Sequence, residues 1–129
     1  MKPAAAGAAA ALVWAALEPL DKRLFRVDYS DVALLGKGVT RSRLWPLAGL
    51  ALHAANGAVF GVAAKRLRVP PLALALVENV ALFPLTYLTD RHHRARGTRG
   101  LAPIFNPRGF AQATARHAIF GALTGKLSR

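Results

Sequence analysis

Four apolar runs, each close to the length that crosses a bilayer, constrain this chain more than any other feature: Pro3 to Leu20, Leu44 to Ala64, Val69 to Thr89 and Gly109 to Leu127. A helix rises about 1.5 Å per residue, so runs of about 20 residues match a hydrocarbon core about 30 Å thick. The charges collect between the runs, which is how a net charge of +12 coexists with 53% hydrophobic residues and a mean hydropathy of +0.28. A water-soluble domain of this length would interleave charge with apolar residues, so the segregation points to lipid. The fourth run is the least apolar, because Gln112, Arg116, His117 and Lys126 interrupt it. An interfacial helix, or a span shielded by the others, are both open for it.

Met1-Lys2 followed by alanines also fits a cleaved secretory leader, in which case residues 1–20 would be removed. Leu12, Val13, Trp14 and Leu17 carry the case for a retained span, since alanine contributes little to insertion. An internal repeat favours retention. The second run contains His53-Ala54-Ala55-Asn56-Gly57-Ala58-Val59-Phe60-Gly61 and the fourth His117-Ala118-Ile119-Phe120-Gly121-Ala122-Leu123-Thr124-Gly125, both reading H-A-x-x-G-A-x-x-G. Upstream, Ala11-Leu12-Val13 leading to Pro19-Leu20 matches Ala75-Leu76-Val77 leading to Pro84-Leu85, with one residue inserted. The expected fold is an all-α integral membrane four-helix bundle, one domain over residues 1–129, built from two helical hairpins at about 3–66 and 67–129. A two-helix unit preserves orientation, so the repeats are expected to be parallel about an axis along the membrane normal.

Topology follows from the basic residues. One side would carry Lys22, Arg23, Arg26, Lys37, Arg41, Arg43, Arg91, Arg94, Arg96, Arg99 and Arg108, and the other Lys2, Lys65, Arg66, Arg68, Lys126 and Arg129. The asymmetry places both long loops in the cytoplasm and both termini outside. Such a basic chain raises nucleic acid as a partner, but the Lys and Arg flank apolar runs without a folded basic face bearing aromatic readers. Anionic lipid head groups are the expected partner instead. With no cysteine, thiol redox chemistry and thiolate ligation are excluded. In the first loop Ser30-Asp31-Val32-Ala33-Leu34-Leu35-Gly36 predicts a short capped helical turn at the head-group surface, and Gly97, Gly100, Pro103 and Pro107 predict an irregular third loop.

Gly49, His53, Gly57 and Gly61 stack at i, i+4 spacing, as do Gly109, Ala113, His117, Gly121 and Gly125, giving each helix a small-residue packing stripe that holds a histidine. Glu78 and Asn79 lie at the middle of the third run, Asn56 lies in the second, and Arg116 or either histidine is a candidate partner for Glu78. An intramembrane charge costs at least about 3 kcal/mol, so Glu78 must be protonated, paired or in contact with a wet cavity. Three readings of His53, Asn56, Glu78, Asn79, Arg116 and His117 are open. They could form a hydrogen-bond network that fixes helix register, within a non-catalytic membrane subunit. They could line a path for a proton, an ion or a small polar solute, the best active reading. They could hold a cofactor, either haem ligated by His53 and His117 or a metal ion ligated by His53, His117 and Glu78. Asp90-Arg91-His92-His93-Arg94 reads as a solvated loop end, Asp21, Asp28 and Asp31 as head-group counter-charges, and Glu18 as a side chain that snorkels to water. The chain has no phosphate-binding glycine loop, nucleophile elbow or zinc-protease helix, so no residue is assigned a catalytic role. A unit this small encloses little volume, so transport favours a homo-oligomer or a larger membrane complex.

Glycines following His53, the Pro70-Pro71 start of the third helix, Phe83-Pro84-Leu85 near its end and Arg116-His117-Ala118-Ile119-Phe120-Gly121 give a likeness over about two thirds of the chain. In these it resembles small bacterial inner-membrane proteins of the YagU type. The resemblance implies a bacterial cytoplasmic-membrane location and no assigned reaction.

Overall fold

The computed structural model describes all residues from Met1 to Arg129 and is helical throughout, without a β-strand. Helix α1 spans Pro3–Phe25, α2 Asp31–Val39, α3 Trp45–Leu67, α4 Pro71–Leu82, α5 Thr86–His92 and α6 Pro107–Leu127. Phe83–Leu85 forms a single 3₁₀ turn joining α4 to α5. Proline starts α1, α3, α4 and α6 within their first two positions, where its missing N–H leaves no hydrogen bond unmade. Inside a helix the same residue acts differently in two places. Pro19 is carried within α1, whereas Pro84 sits in the tighter 3₁₀ turn.

Three segments are long and apolar enough to cross a membrane: Pro3–Phe25 with 23 residues, Trp45–Leu67 with 23, and Pro71–His92 with 22. The chain is therefore a membrane protein by length and composition of its helices. Leu20, Leu47, Val59, Leu72, Val77, Val80 and Leu82 lie on the outer surface, while the interior cluster is Ala10, Ala11, Trp14, Phe60, Ala64, Ala75 and Phe120. Large aliphatics outside, with alanines and three aromatic rings inside, suit a solvent as apolar as leucine. Helix α6 is 21 residues long and carries its polar side chains inward, with Gln112, Arg116 and Thr124 all buried.

Helix α1 packs against α3 and α6, α6 packs against α4, and α2 lies along α3. Backbone proximity decides where the glycines sit. A methyl group on Gly7 would run into the carbonyl of Gly57, and one on Gly57 would stand 2.7 Å from the Ala11 Cβ. Likewise one on Gly121 would stand 2.9 Å from the Ala75 Cβ and 2.7 Å from the Leu72 Cα. Gly57, Gly61 and Gly121 each lie against a neighbouring helix, and the two stripes do not meet each other. Gly57 and Gly61 serve α1, Gly121 serves α4, and Gly49 meets α2 through the Val32 carbonyl. Gly125 touches little, with Pro71 Cδ at 3.8 Å.

The two long loops share one end of the molecule. Tyr29 and Leu101 form an isolated bridge, Ser30 N–H donates to Gly100 O at 2.7 Å, and Lys37 Nζ donates to Arg99 O at 2.6 Å. The termini meet at the opposite end, where the Met1 ammonium donates to Leu127 O at 2.8 Å. Ser30 caps α2 as its sequence predicts, accepting from Ala33 N–H at 3.1 Å. The helix is longer than a turn, however, and it packs against α3 through Gly36 and Gly49. His93 clips the loops together. Its Nε2–H donates to Leu34 O at 2.9 Å while its Nδ1 accepts from Ala95 N–H at 3.0 Å. Asp90 accepts from Ile104 N–H at 3.0 Å and Phe105 N–H at 2.8 Å, so only His92 of that histidine pair stands exposed as a solvated loop end.

Candidate functional site

Small residues and then polar ones follow one stripe of α1: Gly7, Ala10, Ala11, Trp14, Glu18. One turn beyond, α1 continues through Asp21 to Phe25, which carries a second carboxylate past the apolar run. The chain then doubles back over Val27 to Ser30, and Asp31 opens α2. These three carboxylates surround Arg116 of α6. Its Nε donates to Asp21 Oδ2 at 2.6 Å and its Nη2 to Asp21 Oδ1 at 2.6 Å, a two-pronged pair. Nη1 donates to Asp31 Oδ2 at 3.2 Å, Nη2 also donates to Tyr29 O at 2.7 Å, and Glu18 Oε1 stands 3.9 Å from Nη1.

Glu18 is only 6% exposed. It does not snorkel: Oε2 accepts from Ser30 Oγ–H at 2.6 Å and Oε1 from Asp31 N–H at 3.0 Å. The reason is that α1 runs past Pro19, which places Glu18 a turn inside the helix and under the returning loop. Asp21 and Asp31 are likewise anchors for Arg116, while Asp28 alone pairs locally, with Lys22 at 3.1 Å. Gln112 completes the shell, donating to Asp21 Oδ1 and Val27 O, both at 3.0 Å. Tyr29 is held there by burial, which pushes its hydroxyl well above its ordinary pKa, with the charge of Asp31 adding to the effect.

Beside this cluster lies a cavity of about 290 Å³, walled by α1, α3, α4 and α6 and reaching α2. Helices α3 and α4 scarcely touch, and the cavity occupies the gap between them. Its lining includes His53, Asn56, Glu78, Asn79, Arg116 and His117, so the six residues singled out by sequence are brought to one site. Their roles differ. Asn79 is bonded, its Nδ2–H donating to Thr114 Oγ1 at 2.8 Å. Arg116 is saturated by the carboxylates just described. Glu78 forms no hydrogen bond or ion pair with the protein, and Arg116 is not its partner; His117 lines the same cavity. His117 donates Nδ1–H to Ala113 O at 2.7 Å. His53 is buried, and its Nε2 has no partner.

The two imidazoles do not face one another. Each packs edge-on against the indole of Trp14, with ring centroids 5.4 Å away for His53 and 4.9 Å for His117. Trp14 Nε1–H donates to Asp31 Oδ2 at 3.0 Å, which ties this aromatic centre to the Arg116 cluster. No three His, Asp or Glu side chains are placed to hold one metal ion.

Sequence reasoning missed Trp14, Glu18, Asp21, Asp31 and Gln112 as members of this centre. A signal was available, since Arg116 in an apolar helix needs an anion and four of the six acidic residues fall between positions 18 and 31. No family model, curated protein or solved structure matches the chain.

Proposed function

We propose that this protein crosses the bilayer four times, with α6 as the fourth span, and that the cavity between α3 and α4 is a path for a proton or a small polar solute. The observation that carries the reading is Glu78, a carboxyl on the cavity wall with no protein partner. A residue kept only to fix helix register would be bonded to its neighbours, as Asn79 and Arg116 are. An unpaired carboxyl at this depth costs a few kcal/mol unless it is protonated or meets water or a ligand, so it persists for what it exchanges with the cavity. His117, which lines the same cavity and is hydrogen-bonded through Nδ1 alone, is the partner for that exchange.

The hairpin repeat supports the four-span reading. Gly57 against Ala11 and Gly121 against Ala75 are the same contact displaced by 64 residues along the chain. A duplicated unit gives both hairpins one orientation, makes α6 a span like α3, and sets the long basic loops together in the cytoplasm with both termini outside.

Flux in proteoliposomes tests the function. The protein is reconstituted with a trapped pH dye, and an imposed proton gradient is expected to dissipate faster than in protein-free vesicles. Equal rates across the pH range, together with no solute-dependent change, would remove the proposal. A haem or metal bound at His53 and His117 would require the Trp14 packing to open, and would announce itself as visible absorbance or stoichiometric metal in the purified protein.

A further inference from the structure

The cavity wall combines two surfaces of different chemistry. Aromatic rings form part of it, Trp14 and Phe120 with centroids 5.8 Å apart and Phe60 and Phe120 at 4.7 Å. Two carboxyl groups share the wall, Glu78 on α4 and Asp31, which accepts from the Trp14 indole N–H at 3.0 Å. The one cation on the wall, Arg116, is committed to Asp21 at 2.6 Å and Asp31 at 3.2 Å, with Glu18 also beside it. Asp21 and Asp31 already offset the guanidinium, so the wall offers no uncompensated positive charge to an anion, while Glu78 is left as an acid without a partner. A neutral polyol would find few free donors, because Arg116 and Asn79 are already bonded. Aromatic faces and carboxylates both attract a positive charge, more strongly where water is scarce.

Building on the reading of the cavity as the functional site, we propose that it binds a small monovalent organic cation bearing an apolar or aromatic group, with the charge at Glu78 and the apolar part against Trp14, Phe60 and Phe120. A volume of about 290 Å³ sits at the lower limit of ligand pockets, about 300–1,000 Å³, so the occupant has a single ring. Because α3 and α4 scarcely touch, it enters sideways from the bilayer, where amphiphilic cations concentrate.

The test uses the indole already in the site. The chain has two tryptophans, and Trp45→Phe leaves Trp14 as the sole reporter in the full-length protein, held in nanodiscs of zwitterionic lipid. Titration with benzyltrimethylammonium is expected to give a saturable fluorescence change. Its neutral isostere, 2,2-dimethylpropylbenzene, should bind at least about tenfold more weakly and benzenesulfonate not at all, a tenfold step being about 1.4 kcal/mol. Glu78→Gln should weaken the cation at least about tenfold without lowering the melting temperature, and Glu78→Asp should restore part of the affinity. Equal binding of the neutral analogue, preference for the anion, or insensitivity to Glu78→Gln would overturn the cation assignment while leaving a ligand cavity in place. Proton flux without binding of the cation would overturn it too, leaving a proton path alone. Neither binding nor flux would remove both this assignment and the function on which it rests.

Discussion

Arg116 is 4% exposed and makes four hydrogen bonds to Asp21, Asp31 and the Tyr29 carbonyl. Taking away its charge strands three carboxylates in one buried shell, which is far worse than never having buried a pair. Arg116→Met is therefore expected to lower stability by about 3–5 kcal/mol. Arg116→Lys, which keeps the charge but loses the planar fork, should lower it by less. Thermal melting of the detergent-solubilised variants checks the order. At this scale the sequence makes the expensive residues visible and hides their partners. Arg116 and Glu78 stand out as polar groups in apolar runs, but pairing them with each other is the wrong inference. Asp21 lies 95 positions from Arg116 and Asp31 lies 85, and nothing local in the chain records such a contact.

At the scale of elements, the close approach of α1 to α3 depends on having no Cβ at Gly7 and Gly57. Gly7→Ala must push the helices apart and is expected to cost at least about 2 kcal/mol through lost packing. Gly125→Ala, whose nearest neighbour is 3.8 Å away, should be neutral or slightly stabilising, since alanine favours the helix. Melting temperatures of the two variants give the comparison. The loop end makes a pH prediction. The Gly100 N–H, aided by Lys22 and opposed by partial burial, holds the Asp28 carboxyl below its ordinary range. A lowered folded-state pKa means that this contact contributes fully above the ordinary aspartate value and is lost as pH falls through the folded value. Asp28→Asn should accordingly flatten the acid limb of the melting-temperature profile. The helices themselves are legible from the apolar runs, and the irregular third loop from its glycines, two of which, Gly97 and Gly100, adopt φ of 77° and 83°. Less legible are the ends. Helix α1 continues through Asp21-Lys22-Arg23 because charge ends an apolar run without ending a helix, and α2 gains its length from packing on α3.

Across the whole molecule, α1 closes against α6 while α3 has little contact with α4, and the cavity opens between α3 and α4. That asymmetry is a property of packing and has no counterpart in the repeated motif H-A-x-x-G-A-x-x-G. The proposed orientation can be read directly, because the chain has no cysteine of its own. Single cysteines at Arg41 and Arg129, both exposed, are expected to differ in intact bacterial cells: an impermeant maleimide should label the second and spare the first. The reverse pattern would invert the topology. The central claim, that Glu78 serves the cavity and is not there to hold the helices, is tested most directly by the proton flux of Glu78→Gln proteoliposomes, measured beside its melting temperature. Flux lost with melting unchanged is the predicted result. Wild-type flux in the variant, or a melting temperature that falls as steeply as it does for Arg116→Met, would contradict it.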